Sequence, residues 1–321
     1  MSIVLADPDA PVAAGTDRPG RTGKRIIWER PSAVLGAAIL FLFMVVALAG
    51  PWLQPYPVPQ QVGPVYGPPS ARHLLGLDDV GGDVVSLLIR GSRVSLLIGF
   101  AAMAVAMVVG TSVGVASGYF GGRTDAVLMR LTDYFLVIPY LPLMIVIAAI
   151  WGPSLDHIIL VIGLLQWRWT ARIVRAQVKS IRERVYVRRA LALGAGHGRT
   201  VVRHVLPQLG PLLVSIGILS VANAIFAETA LAFLGLSDPT AISWGGMIHN
   251  AFQRAAISSG AWWAVVPPGV CVTLVIAGCY LLGQSIEESL NPRLRVAHLS
   301  GRRFRIRPTV GDHPVPPVES Q

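Results

Sequence analysis

The sequence predicts an all-α membrane fold with six transmembrane helices, and three observations predict it. Apolar residues make up 53% of the 321-residue chain and charged residues only 14%, too little charge for an ordinary soluble domain. Six segments approach the roughly 20 apolar residues that a bilayer core requires of a helix. The basic residues, which give a formal charge of +10, are spread unevenly over the segments between them.

The first span, Ser32 to Ala49 (SAVLGAAILFLFMVVALA), contains no charged residue. It follows Lys24, Arg25 and Arg30 and ends in Ala47-Leu48-Ala49, which resembles a signal-peptide cleavage site. The apolar run is longer than a signal core and a long tail precedes it, so a retained helix over 31–50 is expected. Residues 51–75 are rich in proline and predict an irregular outside loop, the first part of an outside region over 51–93 that also holds an amphipathic lead-in helix. The remaining five spans form a domain over 94–290. They are expected at Val94–Gly118, Phe135–Ile150, Leu155–Trp169, Pro211–Leu236 and Trp262–Leu282. The span from Leu155 is the weakest, bounded by Asp156 and Arg168. Pro139 and Pro142 should kink the span that holds them. The Trp262-Trp263 pair suits a membrane interface, and Cys271 and Cys279 predict two buried small hydrophobes on one helix face.

With a cytoplasmic N-terminus, six spans return the C-terminus to the cytoplasm. Of the 27 Lys and Arg residues, only Arg72, Arg90, Arg93 and Arg254 then fall outside. The positive-inside rule prefers that orientation. It also accounts for the positive charge without nucleic acid, since no soluble basic domain is present. The tails over 1–30 and 291–321 are basic and rich in small residues or proline. They predict disorder, with the C-terminal one lying against anionic headgroups.

Gly110, Gly114 and Gly118 recur at every fourth position of the second span, a spacing that lets two helices approach closely. Glu228 is the one acid well inside a span, and Asn223 lies five residues before it. An intramembrane carboxylate is costly. Here it is expected to line a polar route, couple a proton, or pin one helix to its neighbour. Asp133 and Arg130 are expected at the inner end of the third span.

Enzyme signatures of the HExxH, GxSxG and Walker A types are missing from the sequence, so no catalytic residue, metal site or cofactor is expected. Gly194, Gly196 and Gly198 are flanked by basic helix, not preceded by a strand, and do not predict a nucleotide site.

The inside segment 172–207 is the most informative stretch. Apolar residues at Ile173, Val174, Val178, Ile181, Val185, Ala190 and Leu191 keep to much of one helical face over 171–193. Gly194 and Gly196 should end that helix with a left-handed turn. A short helix from Arg199 to Val205 should then close at Pro207. A stiff bent element of this kind suits force transmission from a soluble partner.

In this segment the chain resembles the permease subunit of an ABC importer, specifically the C-type subunit of the dipeptide/oligopeptide/nickel family. That family carries a cytoplasmic motif of Glu-Ala-Ala, three residues, Gly, then a stretch ending in Leu-Pro. Ala190, Gly194, Leu206 and Pro207 stand at matching places, and Tyr186, Val187, Leu193, Arg203 and His204 are similar to the peptide subfamily's version. GLDDVGGDVVSLLIRGSRVSLLIG (76–99), DYFLVIPYLPLMI (133–145), ETALAFLGL (228–236), SWGGMI (243–248) and NPRLR (291–295) follow in the family's order. Two positions depart from it. Arg188 and Arg189 replace the motif's Glu and first Ala, reversing the charge, and Gly82 stands where an Arg is usual before Asp83.

The resemblance implies the type I importer permease fold, and a coupling helix over about 186–200 with Tyr186, Arg188, Arg189, Ala190, Gly194, Ala195, Gly196 and Pro207 at or beside the contact with an ATPase. The partners it implies are two cytoplasmic ATPase subunits, a second (B-type) permease, an extracytoplasmic binding protein and the lipid bilayer. Peptide is the expected cargo. Nickel chelates or another small solute are carried by similar permeases, and an ion-coupled carrier built on Glu228 is a rival of a different class.

Overall fold

The computed structural model describes residues 30–290. Apart from Arg30, the two expected tails and the NPRLR stretch lie outside the described residues. Within them the regular structure is helical, with one isolated bridge between Leu77 and Asp83. The helices are α1 (Pro31–Leu53), α2 (Val84–Phe120), α3 (Gly122–Val137), α4 (Tyr140–Trp151), α5 (Leu155–Arg182), α6 (Val185–Ala192), α7 (His197–Thr200), α8 (Leu206–Phe233), α9 (Trp244–Gln253) and α10 (Val266–Leu290). A π-turn over Val201–Val205 joins α7 to α8.

Four helical stretches are long and apolar enough to cross a membrane: Pro31–Leu53, Val84–Phe120, His197–Phe233 and Trp262–Ser289. The pair α3 and α4 makes a fifth if it counts as one span, although the two helices meet at 88°. α5 has 28 residues, about 42 Å of helix, but carries Arg168, Arg172 and Arg175 within it.

Several boundaries differ from the sequence expectation. The lead-in helix is not separate: residues 84–93 are the first turns of α2, which runs unbroken for 37 residues. Gly91 lies within it, with the Trp244 ring 3.0 Å from where a Cβ would stand. Asp83 caps the helix, accepting from the Ser86 amide at 2.9 Å and its hydroxyl at 2.8 Å. The third expected span is broken rather than kinked. Ile138 is extended, as a residue before proline prefers, and α4 starts immediately after Pro139. Pro142 falls in the first turn of α4, where a missing N–H costs little.

The helix expected over 171–193 is divided at Glu183-Arg184. Ile181 and Val187 are both fully buried in one cluster with Tyr119, Val178, Val205 and Leu209. Six residues apart on a straight helix they would point well away from each other, so the chain must break to bury both. Pro207 does not close the following helix. The π-turn bonds Leu206 N–H back to the Val201 carbonyl, and α8 continues through Pro207. A π-turn absorbs the register change at a proline that lacks its own donor.

α2 and α8 are central. On one side they pack with α4 and α5 around Ile98, Met144, Ile162, Leu165 and Leu231. On the other they pack with α1, α9 and α10 around Leu96, Ile225, Trp244, Val275 and Cys279. Cys271 is only half-buried. α1 joins this side through Gly36, whose missing Cβ would stand 2.7 Å from the Gly278 carbonyl oxygen of α10. Its far face, with Phe41 71% exposed and Leu48 equally bare, is apolar and suits lipid.

The closest helix contact is between α2 and α5. A Cβ on Gly110 would stand 2.6 Å from the Trp167 carbonyl oxygen, on Gly114 2.7 Å from that of Ala171, and on Gly118 2.8 Å from that of Arg175. Gly163 of α5 is equally pressed on Val105 of α2. We expect Gly114→Val to destabilise the protein by about 2 kcal/mol or more through overpacking. Gly210→Ala, on α8 with nothing within 4 Å of a Cβ, should leave stability unchanged. Thermal unfolding of the detergent-solubilised proteins compares the two.

Candidate functional site

Two features stand apart from ordinary packing: a groove within the helix bundle and a bent element at one end of it. The groove, about 440 Å³, runs between α4, α5 and α8. Its walls are largely apolar, with Leu141, Trp169, Ile173, Ile216 and Phe226. α5 contributes Gln166, Trp169, Thr170 and Ile173, spaced as one helical stripe. Asn223 of α8 is exposed to the groove and uses its amide nitrogen on the Leu219 carbonyl at 3.1 Å.

Arg168 also lines the groove, although it is only 4% exposed. Its guanidinium lies over the Tyr140 ring, 5.0 Å from the centroid. Its Nε and Nη1 have no hydrogen-bond partner, and Tyr140 Oη and Gln166 Nε2 make no close hydrogen bond to any third group. Sequence reasoning took Arg168 for the inner boundary of a span and counted it among the cytoplasmic charges. The structure instead sets it midway along α5. The signal that could have revealed this was present: Val174, Val178 and Ile181 continue the helical spacing past Arg168, and all three are fully buried.

Glu228 is separated from Asn223. It is 1% exposed and lies where α9 crosses α8, beside Gly245, whose Cβ position is 3.3 Å from Glu228 Oε1. Oε1 makes no close hydrogen bond, Oε2 receives a long Thr229 hydroxyl contact at 3.4 Å, and the Ser243 hydroxyl stands near the carboxyl. The SWGGMI stretch builds this crossing. Ser243 caps α9 by accepting from Gly246 N–H, while the Trp244 indole donates to the Leu88 carbonyl at 3.1 Å. Gly110, Gly114 and Gly118 all sit in the α2–α5 contact and do not line the groove, although Gly110 packs on Thr170, which does.

The bent element spans α6 to α7. Gly194 has φ +84° and ends α6 with a pair of bonds, Gly194 N–H to Leu191 O and Ala195 N–H to Ala190 O, both 3.0 Å. These two bonds define a Schellman turn. Gly196 is not left-handed as expected; with φ −63° it caps α7 instead. Around the turn Leu193 is 89% exposed, and Val185 and Tyr186 are exposed too. Arg188 and Arg189 point to solvent, and Ala190 is half-buried. Pro207 lies past the π-turn, in the first turn of α8.

The element is fastened to the bundle. Val187 is buried in the cluster at this end, and His197 Nδ1 lies 3.1 Å from Tyr119 Oη at the end of α2. Nearby, Asp125 accepts from Arg175 at 2.5 and 2.8 Å, from Lys179 at 2.7 Å and from Ser117 at 2.9 Å, clamping α3 to α5. Asp133 pairs with Arg172.

The opposite end carries a cavity of about 420 Å³ containing Asp78, Asp79, Asp238 and Arg254. Asp79 pairs with Arg254 at 3.0 Å. Burial raises the Asp78 carboxyl above its ordinary value, although the Gly82 and Val80 amides donate to it. The Thr240 hydroxyl and amide lower Asp238. Gly82 brings its N–H within 2.6 Å of Asp78 Oδ1. His73 Nδ1 lies 3.0 Å from Asp83 Oδ1.

Residues 110–296 match the model of the binding-protein-dependent transport system inner membrane component. The chain belongs to this family. Residues 25–69 also match the N-terminal transmembrane domain of oligopeptide transport permease C. A dipeptide transport system permease protein of Bacillus subtilis is 34% identical over 290 residues, 88% of this chain and 90% of that protein. A probable D,D-dipeptide transport system permease protein of Escherichia coli is 33% identical over 277 residues, 84% and 92% of the two chains. A putative peptide transport system permease protein of Brucella suis is 34% identical over 278 residues, 86% and 92%. The protein is therefore a permease component of an ABC transport system in the inner membrane, and ATPase and permease partners follow from that membership.

The turn supplies a prediction that separates local strain from contact. Gly194→Ala forces a Cβ into the left-handed region and should cost roughly 1 kcal/mol. Gly196→Ala has ordinary backbone angles and no neighbour within 4 Å, so it should cost nothing. Melting temperatures of the two purified variants test the difference.

Proposed function

We propose that this chain is the C-type permease of an ATP-driven importer of di- or oligopeptides, and that α6, the Gly194 turn and α7 form its coupling element. The chain would cross the membrane six times, through α1, α2, the α3–α4 pair, α5, α8 and α10, with both termini cytoplasmic. A B-type permease would complete the translocation path, two ATPase subunits would dock on the cytoplasmic side, and a binding protein would deliver cargo to the outer mouth.

The observation that carries this reading is the surface of the turn. A Cβ on Gly194, Gly196 or Gly198 would meet nothing within 4 Å in this chain. At Gly196 the backbone does not require glycine either. Smallness there has no internal use, and exposed Leu193, Val185 and Tyr186 surround it. A partner that approaches the backbone closely and covers these apolar side chains accounts for both facts. Arg188 and Arg189 would then ask for an acidic rim on that partner.

Coupling follows from the fastening. Val187 and His197 tie the turn to α5, α2 and the start of α8. When two ATPases close on ATP, a displaced turn would carry these helices with it as a rigid body and change access to the groove between α5 and α8. An ion-coupled carrier would need Glu228 on that path, whereas Glu228 is buried beneath α9. The peptide cargo is supported by the printed names of the similar proteins.

The test is purification of the assembled complex, with uptake measured in parallel. Wild type should co-purify with Walker-A-containing ATPases and a second six-span permease, and uptake should survive an uncoupler while ATP is maintained. Gly196→Arg should insert and melt as wild type does, lose the ATPases, and lower uptake at least tenfold. Uptake that persists in Gly196→Arg would overturn the docking role.

A further inference from the structure

We propose that Arg168 is a way-station in the groove for an anionic end of the cargo, the C-terminal carboxylate of a peptide. This rests on the peptide-importer reading and goes beyond it by naming the residue and the chemical group it holds.

Arg168 is a nearly buried cation whose Nε and Nη1 donate to nothing in this chain. Its one favourable contact is the Tyr140 ring, and a cation–π interaction does not use those N–H groups. Tyr140 and Gln166 stand beside each other on the same groove wall, with no close hydrogen bond from Tyr140 Oη or Gln166 Nε2 to any third group. The lining contains no carboxylate. Asp133 is engaged with Arg172 and Glu228 lies beneath α9, while Asp156 stands at the far end of α5, twelve residues from Arg168. An unpaired charge within a membrane protein is expensive, and such charges mark substrate or ion pathways.

The chemistry of the unmet groups points to an oxyanion. A guanidinium offers a planar fork matched to a carboxylate, and a phenol and an amide N–H are further donors. The depth also suits a transit site. Leu155 N–H bonds to Asp238 in the outer loop at 3.3 Å, and Arg168 lies thirteen residues along α5, about 20 Å further in. Measured from that outer end, this is about two-thirds of the way across a roughly 30 Å hydrocarbon core. A groove of about 440 Å³ is within the size range of small-molecule sites. One cation on a largely apolar wall holds an anion without caging it, which a site the cargo must leave requires.

The experiment uses the complete complex with its binding protein in proteoliposomes, and one peptide supplied as the free acid and as the C-terminal amide. Arg168→Gln should lower uptake of the acid at least tenfold relative to the amide, and Arg168→Lys should restore part of it. Equal loss of both substrates in Arg168→Gln, or no loss of either, would overturn the assignment. Equal loss together with loss of the second permease on purification would identify an acid of that subunit as the partner of Arg168 instead. A second measurement does not depend on the variant folding: a peptide with a diazirine at its C-terminal residue is photolysed in wild-type complex during turnover. Crosslinks on Tyr140, Gln166 or Arg168 support the site, and crosslinks elsewhere alone overturn it. A wild-type complex that carries no peptide under ATP would sink the peptide reading itself, and the carboxylate assignment with it.

Discussion

Backbone-to-backbone contact between α2 and α5 is the constraint on which the rest of the structure depends. Three glycines on α2 and one on α5 remove the side chains that would hold the helices apart. In hydrocarbon, helices gain little from the hydrophobic effect, and close van der Waals packing takes its place. With one face of α5 committed to α2, Gln166, Trp169 and Ile173 are left to wall the groove, and Thr170 stands at the edge that the contact and the groove share. The same contact keeps α5 straight past Arg168, so a residue that resembles a headgroup anchor becomes part of the interior.

α5 also links the two features that set this chain apart. Its C-terminal end enters the cluster that holds Val187 and Leu209. Its middle lines the groove. The Asp125 clamp adds α3 to the same body. α8 makes the second link, since it begins directly from the π-turn and carries Asn223 to the groove. A push on the Gly194 turn therefore acts on two groove-forming helices through packed side chains and continuous helix. No flexible loop intervenes. Interiors at this packing density move in discrete arrangements, which is what alternating access asks of them.

Much of this was legible because the signals are local. The uncharged run before Ala49, the glycine spacing at Gly110, Gly114 and Gly118, and the left-handed turn at Gly194 each follow from chemistry within a few residues. Errors arose where a distant contact decided the outcome. The lead-in helix merges with α2, Pro207 is tolerated because a π-turn precedes it, and the helix over 171–193 divides so that Ile181 and Val187 can be buried together. Gly196 was grouped with Gly194 by residue type, although only one of them needs a positive φ.

The sequence by itself determined that this is a helical membrane protein, where its glycine-lined contact lies, and that a bent basic element is set between apolar segments. Composition, spacing and turn chemistry suffice for these because each depends on residues close in the chain. Tertiary structure alone decided which polar groups share a space. Glu228 and Asn223, neighbours in sequence, face different surroundings because α9 folds over one of them. Arg168 and Tyr140, on different helices, meet because the break at Pro139 turns α4 toward α5. A charge inside a membrane takes its meaning from what surrounds it, and those surroundings come from segments the local sequence does not contain.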